Sequence, residues 1–470
     1  MSGAGQEAGA LWQLAALEMS ALFRDGRLDP TEVLQACVAR LDLLDPSLHI
    51  MISRHPDAMA QAQASASRWR EGRPLSVLDG VPVAVKDNIL TNDLPTSWGN
   101  PLLATRPGQI DEIAVARLRE AGLVILGKTS VPEFTLEGFT ANPLVGVTGN
   151  PWQPALTPGG SSGGSVAGVA AGCFPLAICT DGGGSIRRPA AYTGLAGFKP
   201  SIGRVPRAAT LPPLLLDFEV IGPVARDVAD LQAVFEVIAG PDPRDRSSIA
   251  LPAASATEMI APRVLFVPRL GAHPIDPLIS VAVRRAVEGL EQAGCVVTEA
   301  PLPLALAPID SVWADIGRMG LARILADEPE VLEAASAPYQ AMAQEGRQLS
   351  AADALAVCEA AQALRRECDG LFEQFDFVVT PSCAAMPWPA ASRYPAQIDG
   401  QVVGPRGHAV FTGWVNAAGL PAINLPAPVG DTDLPIGFQL IGRWGGDQTV
   451  LDWARRYETV CPWSHRWPTL

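Results

Sequence analysis

Two runs of glycine and serine hold the residue types from which acyl-transfer chemistry is built: Gly159-Gly160-Ser161-Ser162-Gly163-Gly164-Ser165 and Asp181-Gly182-Gly183-Gly184-Ser185-Ile186-Arg187. A Ser/Gly stretch is more often a flexible linker. These runs instead sit between apolar segments with no compositional tail on either side, so they read as constrained backbone inside the protein. Three consecutive glycines ahead of Ser185 let several backbone N–H groups converge beside its hydroxyl, the arrangement that holds a developing oxyanion. Ser185 is therefore the expected nucleophile.

A serine nucleophile needs a base. Of the five histidines, His49, His55, His273 and His465 have unconvincing surroundings, and only His408, in Gly407-His408-Ala409, lies in a plausible active-site loop. The alternative is a lysine stripped of its proton. Lys86 ends the strand-like Val81-Pro82-Val83-Ala84-Val85 and precedes Asp87-Asn88, where burial would lower its pKa toward use as a base. A lone lysine is more often a solvated side chain, so the residues alone leave the base open.

Two further patterns match well-known motifs but lack their mechanics. Residues 122–129 satisfy the P-loop pattern, yet its four variable positions, Leu123 to Leu126, are themselves strand-like rather than a flexible phosphate cradle. Gly127-Lys128 reads as the turn that ends that strand. Gly160-Ser161-Ser162-Gly163-Gly164 fits the G-x-S-x-G elbow, but the proline-broken Gln153 to Pro158 supplies no strand to lead into it.

The elements that must carry these residues alternate. Val81 to Val85, Leu123 to Leu126, Leu176 to Ile178, Val264 to Val267 and Phe377 to Val379 read as buried strands. Ile113 to Ala121, Val228 to Ile238, Ser280 to Gln292 and Ala352 to Phe372 have helical periodicity. An earlier helix starts at Asp29-Pro30-Thr31-Glu32, a capping signal, and is expected to stop at Asp45-Pro46. The pattern predicts an α/β protein: a mainly parallel or mixed central β-sheet covered by helices on both faces. Length 470 would allow two or three domains. No linker divides the chain, so one domain is expected, with an N-terminal helical part over 1–75, a core over 76–230 and the rest of the sheet over 231–470.

Composition narrows the function. Lys+Arg 35 against Asp+Glu 49 gives a net charge of −14, which argues against a nucleic-acid or anionic-membrane partner. Hydrophobic residues at 48% and charged residues at 18% exclude wholesale disorder. No span reaches the roughly 20 apolar residues of a membrane helix. The N-terminus carries Glu7 and Glu18 and lacks a basic start followed by an apolar run, so no secretory leader is expected. Eight scattered cysteines without a CxxC pair suit reduced thiols in a cytoplasmic protein better than zinc or disulfides.

Taken together, Gly80-Val81-Pro82-Val83-Ala84-Val85-Lys86-Asp87-Asn88, Pro158 to Ser165 and Asp181 to Pro189 resemble successive blocks of the amidase signature family. Leu195-Ala196-Gly197-Phe198-Lys199-Pro200, Gly222-Pro223, Gly419 to Ile423 and Leu434 to Gly442 extend the resemblance over roughly Asp29 to Tyr457. The resemblance implies a Ser–cis-Ser–Lys hydrolase, with Ser185 as nucleophile, Ser161 as the serine after a cis peptide bond and Lys86 as base. It also implies that the backbone N–H groups of Gly182, Gly183, Gly184 and Ser185 take the oxyanion, and that Ser162 supports the site. Where this chain has Gly182 the family usually carries Thr or Ile, which would loosen that loop.

The implied activity is cleavage of a small, apolar or aryl, amide-type bond, with carbamates, urethanes and esters presenting a similar carbonyl. Phe134, Leu136, Phe139, Phe411 and Trp414 are candidate apolar contacts, and equally candidate core. No cofactor or metal is called for, the partner is a small molecule, and a homodimer is compatible with the sequence. Two alternatives stand beside this one. The first is the glutaminase subunit of a tRNA-dependent amidotransferase, for which Trp313 to Leu371, an Ala/Glu-rich helical stretch, offers no signature. The second is a non-hydrolytic nucleotide binder using 122–129.

Overall fold

The computed structural model describes residues 11–250, 259–430 and 432–470. Glu7, one of the residues read against a secretory leader, lies outside the described residues. One sheet of eleven strands organises the chain. Numbered along the sequence they are β1 (Met51–Arg54), β2 (Pro82–Lys86), β3 (Val124–Thr129), β4 (Leu176–Asp181), β5 (Ala196–Lys199), β6 (Val220–Ala225), β7 (Arg263–Phe266), β8 (Val296–Glu299), β9 (Phe377–Pro381), β10 (Ala422–Pro426) and β11 (Gly437–Gly442). Their spatial order is β1-β3-β2-β4-β6-β5-β10-β11-β9-β7-β8.

β2 lies parallel between β3 and β4, and β7 parallel between β8 and β9; the other neighbours are antiparallel. The sheet is therefore mixed. Every residue of β2, β3, β4, β6, β9, β10 and β11 is buried. Because successive side chains point to opposite faces, burial of all of them requires helices over both faces. The five apolar runs read as strands fall in β2, β3, β4, β7 and β9. The four periodic segments form the helices Ile113–Glu120, Val228–Ile238, Pro277–Gln292 and Ala351–Gln374. No described helix is long and apolar enough to cross a membrane.

Two local expectations are corrected. The early helix does begin at Asp29 with a capping box closed by Glu32, but it runs from Pro30 through Pro46 to Leu48. A proline this near the C-terminus removes one late hydrogen bond. Burial of Leu44 and Leu48 continues the turn, and the Asp45 carboxylate accepts the N–H groups of Ile50 and Met51 just beyond it. Gly127-Lys128, likewise, is not a turn: β3 continues to Thr129. Gly127 sits at φ 144° where the register between β2 and β3 shifts, and a Cβ there would lie 2.1 Å from the Ser53 carbonyl oxygen. The glycine is required by a bulge pressed against β1.

Parallel pairing has a consequence for the chemistry. The C-terminal ends of β2, β3 and β4 emerge on one edge of the sheet, with Lys86 paired to Thr129 and Val85 to Ile178. Loops leaving that edge therefore meet. The helix Gly163–Ala170 packs its start there, where Gly164 donates to the Ser130 carbonyl. A Cβ on Gly164 would lie 2.4 Å from the Ser130 nitrogen, so this close approach needs glycine.

Candidate active site

Lys86, the last residue of β2, is wholly buried. Its Nζ lies 2.9 Å from Ser161 Oγ, 2.9 Å from Thr180 Oγ1 and 3.0 Å from the Thr180 carbonyl oxygen. Among the described residues it forms no ion pair. Burial pushes its pKa down to about 8; Glu219, Cys179 and Asp181 pull upward, and Arg207 pushes further down. Burial is the larger effect because the nearest carboxylates are already engaged: Glu219 pairs with Arg207 at 2.7 Å and Asp181 with Arg187 at 3.0 Å. Asn88 steadies the far side, donating 2.9 Å to Thr180 Oγ1. One strand over, Lys128, the lysine of the P-loop-like stretch, is the strand residue before Thr129, buried beside Asp87 at 3.5 Å and donating to the Ile89 carbonyl.

The Gly160–Ser161 peptide bond is cis. Ser161 is 1% and Ser185 8% exposed, so the hydroxyl with most access is the expected nucleophile. Ser162, at the start of the helix Gly163–Ala170, donates to the Thr180 carbonyl at 3.4 Å, the oxygen that also receives Lys86. Lys86, Ser161, Ser162 and Thr180 thus form one connected group. Ser185 Oγ makes no hydrogen bond among the described residues, so the Ser161–Ser185 link is not made in this state. Hydrogen bonds of this kind are often long before substrate binds.

The glycine loop is held from behind by Asp181. Its carboxylate accepts the N–H of Gly184 at 2.6 Å and of Ile186 at 3.1 Å, and it receives the Arg187 guanidinium and the Asn416 amide. Burial alone would raise the Asp181 carboxyl, but Arg187, then Lys199 and Asn416, outweigh it and hold it well below the usual carboxylate range. On the other side of the Gly183–Gly184 peptide, Arg188 and Thr412 both donate to the Gly183 carbonyl. That peptide is clamped at both ends. Of the four N–H groups expected to face an oxyanion, Gly184's is therefore turned to Asp181, leaving those of Gly182, Gly183 and Ser185. The loop is also less free than a glycine at 182 suggests, since Leu215 fills the place of a Gly182 side chain, its Cδ1 2.5 Å from an added Cβ.

Of the aromatic and apolar candidates, Phe134 packs between Trp98 and Tyr339, and Phe411 and Trp414 belong to the main core. Leu215 and Trp313 instead approach Gly182 and Gly183. A cavity of about 220 Å³, lined in part by Asn88, Leu214, Leu215 and Glu219, opens beside them. His408 is buried, with neither ring nitrogen hydrogen-bonded among the described residues. Thr180, Asp181, Arg187, Thr412, Asn416 and Gln439 were not singled out by sequence. Asp181 and Arg187 carried a usable signal, an acid and a base flanking an otherwise uncharged glycine loop. Thr412, Asn416 and Gln439 arrive from more than two hundred residues away.

This fold and site match a known class. A family model described as Amidase aligns with residues 32–451. The chain belongs to the amidase signature family, and it is a hydrolase of carbon–nitrogen bonds. It is 34% identical to a glutamyl-tRNA(Gln) amidotransferase subunit of Chloroflexus aggregans, covering 95% of this chain and 96% of that one. It is 32% identical to an acylamidase of Rhodococcus erythropolis, over 97% of each chain. Among solved structures it resembles a bacterial aryl acylamidase of the amidase signature enzymes, with TM-score 0.88, 27% identity and coverage of 96% and 97%. It also resembles a 6-aminohexanoate cyclic dimer hydrolase, with TM-score 0.87, 25% identity and coverage of 98% and 99%.

Proposed function

We propose that the chain hydrolyses small apolar or aryl amides through an acyl-enzyme on Ser185, with Lys86 as base and Ser161 as relay. The main support is a buried lysine, without a carboxylate partner among the described residues, bonded to a serine hydroxyl. A neutral amine has two N–H donors and one lone pair. Given to Thr180 O and Thr180 Oγ1, the two donors leave the lone pair facing Ser161, whose O–H then donates to Nζ. Ser161 Oγ in turn draws the proton of Ser185 once a substrate carbonyl seats beside it.

The Ser185 oxygen attacks that carbonyl, and the N–H groups of Gly182, Gly183 and Ser185 take the negative charge. The proton held by Lys86 returns through Ser161 to the leaving nitrogen. Water repeats the sequence in reverse to free the acid. Ser162 shares the Thr180 carbonyl and positions the group. An apolar or aryl acyl bond is favoured by Leu215 and Trp313 beside the glycine loop and by the likeness to an aryl acylamidase. Carbamates, urethanes and esters offer the same electrophile. In this reading the chain acts alone in the cytoplasm.

A second reading, an amidotransferase subunit needing partner proteins, is favoured by the 34% identity to such a subunit. The purified single chain separates them: turnover of an aryl amide without partners supports the first, and glutamine turnover only with added subunits supports the second. A fluorophosphonate should place its mass on the peptide carrying Ser185; labelling elsewhere, or none, counts against the nucleophile. The base gives a pH signature. With Lys86 at about 8, only about a tenth of the amine is neutral at pH 7, so kcat/KM should rise with pH to a plateau above a midpoint near 8. A profile level down to pH 6 excludes Lys86 as the base.

A further inference from the structure

We propose that the chain prefers amides bearing a carboxylate near the scissile bond, received by Arg188, His408 and Arg406. This rests on the assignment of Ser185 as nucleophile and names the substrate class of that same site.

The guanidinium groups around the loop fall into two kinds. Arg187 is matched by Asp181, and Arg207 by Glu112 and Glu219. Arg188 and Arg406 have no carboxylate at ion-pairing distance among the described residues. Arg188 is 6% exposed, spends Nη1 on the Gly183 carbonyl and Thr412 Oγ1, and leaves Nε buried without an acceptor among the described residues. It stands one turn after Ser185, and a Cβ on Gly184 would lie 2.6 Å from its Nη1. Arg406 is exposed and lies over Trp313, its Cζ 4.5 Å from the ring centroid. Trp313 in turn presses on the loop, 3.0 Å from where a Gly183 Cβ would be. Asp310 lies within electrostatic reach of Arg406 but forms no ion pair with it.

His408 completes the group. Both its ring nitrogens are buried and unpartnered among the described residues, and Nε2 would be 2.2 Å from a Cβ on Gly138. Burial, and then the Arg188 and Arg406 charges, hold its pKa well below the ordinary histidine value, so it is a neutral donor and acceptor. Buried polar atoms are normally satisfied. Here the Arg188 Nε–H, one turn from the nucleophile, and the His408 ring, within electrostatic reach of Arg188 and Arg406, are unmatched among the described residues, and the second guanidinium is exposed. A carboxylate answers all three, accepting from Nε–H and an imidazole N–H while neutralising Arg406. A local cationic group also explains how a chain of net charge −14 could draw an anionic substrate.

The test compares charged and neutral members of two pairs. The first is the glutaric acid mono-4-nitroanilide against valeric acid 4-nitroanilide, with the charge on the acyl side. The second is 4-acetamidobenzoate against acetanilide, with the charge on the amine side. The carboxylate member of at least one pair should have kcat/KM about tenfold higher or more. Arg406→Met should bring that ratio toward one, and Arg406→Lys should retain most of it. Glutarate should also slow fluorophosphonate labelling of Ser185, less so in Arg406→Met. If neutral amides turn over but neither pair favours its charged member, or the ratio survives Arg406→Met, the carboxylate preference is wrong while the nucleophile stands. If nothing turns over and Ser185 is not labelled, the nucleophile assignment fails and this preference falls with it.

Discussion

On the proposed mechanism, Ser185→Ala should lower kcat/KM for an aryl amide by about 10⁴-fold or more, because without that oxygen the proposed acyl-enzyme does not form and only binding and the oxyanion donors remain. Lys86→Met should cost a comparable factor while keeping the volume of a wholly buried side chain. The double variant should then be little worse than either single one, since the three groups of the proposed relay would lose their function together. Thermal stability separates this from damage to the fold. Ser185 Oγ has no hydrogen bond to lose among the described residues, so Ser185→Ala should melt within about a degree or two of the parent. Lys86→Met exchanges an awkward buried amine for a thioether but strands Thr180, so its melting temperature is no guide, and its pH profile is the better readout. Should the two single losses multiply in the double variant, Lys86 and Ser185 are not parts of one relay.

How much of this is legible in the sequence depends on the range of the interaction. The strands and long helices were readable because their apolar periodicity is local, and Asp29 with Glu32 announced a capping box that is present. Pro46 and Gly127 depart from the sequence expectation for a common reason. A proline one turn from a helix end and a glycine at a bulge have local signals for stopping, and tertiary contacts override both. Within the candidate site, the three glycines before Ser185 mark it as the expected nucleophile, whereas the residues alone leave Lys86 open as base, and Ser161 enters only through the joint resemblance of several blocks. What could not be read was the support behind the loop. Nothing near Asp181 in sequence announces Asn416, and nothing near Gly183 announces Thr412, so the diversion of the Gly184 N–H to Asp181 appears only in three dimensions.

That support is the most stringent place to test the architecture. Arg187→Met should destabilise the protein by about 3–5 kcal/mol, because it leaves a buried carboxylate unpaired. It also removes donors to Gln439 Oε1, the Thr412 carbonyl and Asn416 Oδ1. Arg187→Lys should recover only part of the loss, since a single ammonium cannot replace a fork that reaches Asp181, Gln439 and Asn416 together. The sign of the pH dependence identifies the cause. In the parent, Asp181 is held below its unfolded value, so its contribution is present above that value and lost as pH falls through the folded one. Without Arg187, burial becomes the dominant influence and raises the same carboxyl, so the variant gains as Asp181 is protonated and weakens as pH rises. The gap between parent and variant in denaturant midpoint should therefore widen as pH rises through and above the ordinary carboxylate range. A protonated Asp181 would also hold the Gly184 N–H less firmly, so turnover in the variant should fall through kcat more than KM. A gap that stays constant across that range would mean that Arg187 supports the site by packing rather than by charge.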